Sequence, residues 1–233
     1  MKITAILPIF NEEKTVAQVL SILIKSPLLD EIVVVDDASS DNSLKIIKQF
    51  QSDKVKIIHL DKNLGKSGAV KYAVSKVTTD ILFFCDGDLH GFKEEHISQL
   101  LEHFESGEEL MSAGIMDRGL IHNMFVKKFG PLITGERAIP YKIFQRMLDD
   151  NFINGLMEGY KMEIIMNDYC IKNNIFIQKE VLKGVSQTLK PYKNKNGLFL
   201  LINETIELAW AFLKLKLYRF TKKIWIYQKN KDL

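Results

Sequence analysis

Two carboxylates one residue apart, Asp86 and Asp88, flank Gly87 at the end of the apolar run Ile81-Leu82-Phe83-Phe84-Cys85. Like charges that close repel each other, and burying them unpaired is costly. A divalent cation removes the repulsion, because Mg2+ and Mn2+ favour carboxylate oxygens and keep positions open for phosphate and water. Gly87 lets the backbone approach a ligand closely. A polar turn closing a strand is the plainer explanation of the triplet alone, so its neighbours decide.

Two other stretches end in the same way. The apolar run Val33-Val34-Val35 stops at Asp36-Asp37 and continues as Ala38-Ser39-Ser40-Asp41. An acid placed there accepts hydrogen bonds from a base N–H or a ribose hydroxyl. Asp41 or Ser40 also fits a helix cap, which leaves adjacent Asp36 and Asp37 unexplained. The run Asn63-Leu64-Gly65-Lys66-Ser67-Gly68-Ala69 puts glycines and a lysine at a helix start. Free backbone amides and the helix dipole favour a phosphate there, although the glycine spacing is not that of a P-loop.

The elements that carry these residues alternate. The continuous apolar run Ile3–Phe10 reads as a strand buried on both faces, Glu31–Val35 as a second buried strand, and Val55–Leu60 and Ile81–Cys85 as a third and a fourth strand. Helical spacing follows each of them, over Glu12–Lys25, Ser40–Phe50, Gly65–Val77 and Lys93–Phe104. Such alternation predicts an α/β fold, a doubly wound, mostly parallel sheet with helices on both faces, and ligands at the carboxyl ends of its strands. The second half is less regular. Strands are expected near Leu110–Ile115 and Ile175–Leu182, helices from Tyr141 and over Gly159–Lys172, and a loop over Gly130–Gly135.

A chain of 233 residues suffices for one such domain and a short extension. Its two cysteines, Cys85 and Cys170, have no metal-like spacing and suit a reducing, cytoplasmic setting. The start lacks the pattern of a signal peptide. The net charge of +3 is unevenly spread, because ten Lys or Arg from Lys190 onward face only Glu204, Glu207 and Asp232. A basic tail suggests an anionic partner, or is simply a solvated terminus. Nothing indicates nucleic-acid binding.

Leu7-Pro8-Ile9-Phe10-Asn11-Glu12-Glu13, Val35-Asp36-Asp37-Ala38-Ser39-Ser40-Asp41, Asn63-Leu64-Gly65-Lys66 and Cys85-Asp86-Gly87-Asp88-Leu89 together resemble the family-2 glycosyltransferases of the GT-A fold, in order and spacing, over roughly the first 90 residues. Ile133-Thr134-Gly135-Glu136-Arg137-Ala138 is similar to the acceptor-side loop of that family, and its Gly-Glu pair to that of glucosyl-3-phosphoglycerate synthases. The general layout is similar to dolichyl- or polyprenyl-phosphate sugar synthases.

The resemblance implies an inverting transfer from a UDP- or GDP-sugar, with Mg2+ or Mn2+. It makes Pro8, Phe10, Asn11, Glu12, Asp37, Lys66, Asp86 and Gly87 donor-binding, and Asp86 and Asp88 the metal site, Asp88 the more direct ligand. Arg137 is then expected to contact phosphate or acceptor. Glu136 and Glu163 are the candidate bases for a hydroxyl acceptor, whereas a phosphate acceptor needs none. Some relatives carry a further His ligand where this chain has Gln187, a poorer one. Of the five histidines, His90 lies near the carboxylate pair. His59, His96, His103 and His122 read as structural or surface.

The expected organisation is a nucleotide-sugar-binding half over 1–130, an acceptor-side half over 131–196 and an amphipathic, helical, basic and aromatic tail over 197–233. No apolar run is long enough for a membrane span. The tail suits the surface of an anionic bilayer, hence a lipid-linked acceptor at the inner face of the cell membrane; packing on the domain or a homodimer interface is the competing expectation. A soluble phosphorylated acceptor, a nucleotidyltransferase and a non-catalytic nucleotide-sugar-binding protein remain as alternatives.

Overall fold

The computed structural model describes residues 1–104, 109–117, 134–157 and 162–187. Strand and helix alternate through β1 (Ile3–Ile9), α1 (Val16–Lys25), β2 (Glu31–Asp36), α2 (Ser43–Lys48), β3 (Val55–His59), α3 (Gly65–Val74) and β4 (Ile81–Phe84). Next come β5 (Leu89–His90), α4 (Glu94–Leu101) with a 3-10 turn over Glu102–Phe104, and β6 (Leu110–Met116). The remaining elements are β7 (Arg137–Pro140), α5 (Tyr141–Asp149), α6 (Asn151–Leu156), α7 (Met162–Lys172), β8 (Phe176–Leu182) and β9 (Ser186–Gln187).

Seven strands form one sheet in the order β3-β2-β1-β4-β7-β6-β8. β7 runs antiparallel to both of its neighbours, and the other pairs are parallel. The mostly parallel α/β sheet expected from the alternation is therefore present. Ala5, Leu7 and Ile9 of β1 join Val16, Val19 and Leu20 of α1 and Ile97 and Leu100 of α4 in one buried cluster. The alternate residues of β1 face the other side, where α3 packs on β1 and β2. Burial on both faces is why β1 and β2 read as apolar runs, whereas β3, at the sheet edge, is only partly buried.

Two expected helices begin late, and hydrogen bonding explains both. The Glu12 carbonyl takes the amides of Thr15 and Val16 in a turn, so α1 starts at Val16. Ser39 and Ser40 are bonded to Asn11, which delays α2 to Ser43. The Asp41 carboxylate does receive the Ser43 amide, at 2.8 Å, although Asn42 occupies the cap position.

The turns after β1 and β2 are left-handed at Asn11 (φ 57°) and Ala38 (φ 58°). For an L-residue this conformation costs roughly 1–2 kcal/mol. The two turns fold back on each other, with the Asn11 side-chain oxygen accepting from the Ser40 amide at 2.8 Å and Glu13 Oε2 accepting from the Asn42 amide at 3.0 Å.

The expected boundaries at 130/131 and 196/197 lie outside the described residues, as do His122, the start of the 130–135 loop, residues 159–161 and the whole 197–233 tail. Among the described residues no helix is long and apolar enough to cross a membrane.

Candidate active site

The acidic triplet follows β4 directly. Gly87 packs so closely on Ile9 that a Cβ there would overlap the Ile9 side chain, with Glu12 next to it. This absence of a side chain brings the ends of β1 and β4 together. Gly135 plays the same part on the opposite side, because a Cβ there would overlap the Asp86 carboxylate.

Asp86 is the hub. Lys66 Nζ lies 2.7 Å from its Oδ1 and 3.0 Å from its Oδ2, and Gln187 Nε2 donates to Oδ2 at 2.9 Å. Lys66 stands in the first turn of α3, and Gln187 in β9, which pairs with β5 immediately after Asp88. The same Lys66 nitrogen is 2.8 Å from Glu163 Oε1 in the first turn of α7. Burial alone would lower the Lys66 ammonium, but the charges of Asp86 and Glu163 outweigh it and hold the group above its ordinary value.

Glu136 is fully buried, and neither of its carboxyl oxygens has a hydrogen-bond partner. Burial first, and then the charge of Asp86, push its carboxyl up to about 8, with Asp88 adding to the effect. Glu163 is 2% exposed, and its Oε2 has no hydrogen-bond partner. Arg137 sits beside them with no exposed surface. Its Nε donates to the Thr134 carbonyl at 2.8 Å and a terminal nitrogen donates to Asn167 Oδ1 at 2.7 Å. Burial lowers the guanidinium, and the charge of Glu163 opposes that most strongly.

Around Asp86 the fold thus gathers four acids, Asp86, Asp88, Glu136 and Glu163, against two cations, Lys66 and Arg137. Two negative charges remain when all four are ionised, and one when Glu136 keeps its proton. That acidic excess around Asp86 and Asp88 suits a divalent cation. Asp88 is half-buried, and Asp86 is held by Lys66 and Gln187. A second group of potential ligands, Glu102, His103 and Glu180, has its ligand atoms within 4.8 Å of one another. Glu102 is largely exposed, and Gln99 and Gln178 already donate to Glu180.

The residues expected on the nucleoside side gather at the ends of β1 and β2. Pro8 and Glu12 are half-buried, and Phe10 is 47% exposed. Asp37 is buried, and its Oδ1 takes the Leu64 amide at 2.7 Å while Asn63 Nδ2 donates to its carbonyl. Burial raises its carboxyl, against the opposing amides of Leu64 and Gly65. Asp37 and Asp86 are therefore both tied to the start of α3. Asp36 points elsewhere, fully buried and paired with His59 at 2.7 Å.

His96 is structural, accepting the Lys93 amide and linking to the Lys183 carbonyl, and burial lowers it. His90 is exposed. Cys85 and Cys170 are buried thiols that burial pushes up, to about 12 for Cys170.

Sequence reasoning missed Gly135 as the cradle of Asp86, and Thr134 and Asn167 as the holders of Arg137. Only the glycine left a sign, inside the acceptor-side loop. Arg137 faces the interior rather than open solvent, a placement its charge did not announce.

Residues 4–162 match the family model described as Glycosyl transferase family 2. The chain is 26% identical over 217 residues to the undecaprenyl-phosphate 4-deoxy-4-formamido-L-arabinose transferase of Proteus mirabilis, covering 87% of this chain and 65% of that protein. It is 26% identical over 213 residues to the poly(ribitol-phosphate) beta-N-acetylglucosaminyltransferase TarS of Staphylococcus aureus, covering 86% of this chain and 34% of that one. It therefore spans less than two thirds of the length of both curated relatives. A crystal structure of glucosyl-3-phosphoglycerate synthase from Mycobacterium tuberculosis, in complex with Mn2+, UDP and phosphoglyceric acid, superposes with a TM-score of 0.71 at 19% identity, covering 91% of this chain and 78% of that one. At that identity the likeness is one of fold.

Proposed function

The chain belongs to glycosyl transferase family 2, and from that membership we propose that it transfers a sugar from a UDP- or GDP-sugar to an acceptor oxygen, inverting the anomeric carbon. The observation that carries this reading is the meeting of Lys66, Gln187 and Glu163 on or around Asp86, at the carboxyl end of the sheet.

In this reading Pro8, Asn11, Glu12 and Asp37 shape the nucleoside pocket, and exposed Phe10 offers it an apolar face. Asp88, with Asp86 behind it and Gln187 able to add its side-chain carbonyl, would hold Mg2+ or Mn2+. When bound, that ion stabilises the charge developing on the diphosphate. The acceptor oxygen forms its bond to the anomeric carbon as the bond to the diphosphate breaks, and the electron pair leaves with the nucleoside diphosphate. A hydroxyl acceptor passes its proton to a carboxylate. Glu136, pushed up to about 8, keeps its own proton at neutral pH and is a hydrogen-bond donor there, which leaves Glu163 as the base. The Arg137 charge offsets those of both glutamates from the interior.

The test is a thermal-shift panel of UDP-, GDP- and dTDP-sugars with and without Mn2+, since a ligand of the folded state raises its apparent stability. It is paired with donor turnover in Asp88→Asn. The variant should lose about 10²–10³ in turnover while melting like the parent. Unchanged turnover overturns the site.

We further propose a polyprenyl phosphate acceptor, met by the basic, aromatic 197–233 segment at the cytoplasmic face of the membrane. The acceptor named for the Proteus relative and the composition of that segment support this. Flotation with anionic liposomes of the full chain and of a chain cut after Asn196 decides it. Retention of the full chain alone is expected. Equal behaviour favours a soluble phosphorylated acceptor and a packing or homodimer role for the segment.

A further inference from the structure

Lys66 joins two groups that a transfer reaction needs at different moments. Its ammonium carries three N–H donors, and three carboxylate oxygens surround it: both of Asp86, at 2.7 and 3.0 Å, and Oε1 of Glu163, at 2.8 Å. Its side chain is 19% exposed and Glu163 is 2% exposed. The other oxygen of Glu163 has no hydrogen-bond partner, so Lys66 supplies the polar contact that this carboxylate makes. A diphosphate seated beside Asp86 brings further anionic oxygens to the same ammonium, which cannot serve all of them.

We infer that Lys66 is an exchangeable counter-ion that makes donor binding a precondition for use of Glu163. In the structure it clasps Asp86 and Glu163 together. When the diphosphate arrives, the ammonium turns to the phosphate oxygens and its bond to Glu163 breaks, leaving that carboxylate free to accept the acceptor's proton. No group is oxidised or reduced, and the ion pair is simply traded for another. The lysine stem has the freedom for this. The helix has less, because Lys71 Nζ on the same α3 is bonded at 2.7 Å to the Asn154 carbonyl in α6. The exchange is therefore a side-chain movement. Lys66 is a positioning residue in this scheme, and the inference rests on the donor-binding reading above.

The scheme predicts competition between Glu163 and the donor for one cation, which a double-mutant cycle measures without turnover. Calorimetric titration of the full chain with UDP, and separately with GDP, each with Mn2+, gives the affinity for the parent, Glu163→Gln, Lys66→Met and the double variant. Glu163→Gln should tighten nucleotide binding roughly tenfold when Lys66 is present, within the range of couplings between contacting charges. In the Lys66→Met background the gain should shrink to less than about twofold.

Equal tightening in both backgrounds would show a general field effect, and no tightening would show that Glu163 is a fixed structural partner. Either result overturns the exchange while leaving the donor reading intact. Failure of both nucleotides to bind the parent overturns the donor reading and the exchange with it. Should either variant lose its cooperative melt, Glu163→Ala and Lys66→Gln complete the same cycle.

Discussion

On the proposed donor side, the acids at the strand ends are bonded to the protein's own backbone. Asp37 takes the Leu64 amide, Asp41 those of Glu13 and Ser43, and Glu13 that of Asn42. On the acceptor side, Glu136 has neither oxygen bonded and Glu163 has one without a partner. One wall is preorganised by short-range hydrogen bonds between neighbouring loops. The other holds charge in reserve, compensated by Lys66 and Arg137. A rim that must present a fixed shape to a nucleotide gains from the first arrangement. A wall that must respond to an arriving proton or anion gains from the second, because buried groups with unmet partners titrate and exchange.

The sharpest way to break that contrast is Arg137→Met. It strips the acceptor wall of its interior cation and leaves the Thr134 carbonyl and Asn167 without their donor. Removing one partner from such a buried group should cost about 3–5 kcal/mol, read as a fall in the urea midpoint. A loss below about 1 kcal/mol would mean that the acceptor wall does not depend on this charge.

The next effect is a pH dependence. The Glu136 carboxyl rises from 4.5 to about 8 on folding, so between those values the folded state binds more protons than the unfolded chain. Stability contributed by this group is therefore present below about pH 4.5 and lost as pH climbs through about 8, with a slope of at most about 1.4 kcal/mol per pH unit. Glu136→Gln should flatten that slope in denaturation series across the window. An unchanged slope would assign it to other groups.

The smallest effect tests the link between the walls. Lys71→Met deletes the bond from α3 to the Asn154 carbonyl and should cost about 1 kcal/mol of stability. Nucleotide affinity should stay within about twofold, since the donor rim is held by its own bonds. A larger loss of affinity would show that the two walls are braced as one.

The first half was legible because β1, β2 and β4 are buried, and a buried parallel strand writes itself as an apolar run ending in polar residues. The acceptor half was harder for identifiable reasons. β7 is four residues long, begins with a charged residue inside the sheet and runs against its neighbours, so neither alternation nor an apolar run marks it. α6 was hidden by Asp149-Asp150-Asn151, which reads as a turn until Asp150 proves to cap it by accepting the amides of Phe152 and Ile153. β5 and β9 pair through two residues each, too few for any periodicity. In the site, the acidic triplet and Lys66 were visible as motifs. The ion pair from Lys66 to Glu163 was not, because a contact between residues so distant in the chain leaves no mark in a single sequence.

Ala38 carries a consequence for how freely this rim can change. Its left-handed backbone admits a bare methyl group with some discomfort, whereas a branched side chain at Cβ would collide with its own peptide unit. Valine, isoleucine and threonine are strongly disfavoured there, while glycine, asparagine and aspartate are favoured. Diversification of the nucleoside rim is thereby channelled to Phe10 and Glu12, whose backbones do not share that restriction. A library randomised at those two positions leaves this turn's backbone alone, whereas most members of one randomised at 38 carry a cost of roughly 1–2 kcal/mol in the turn.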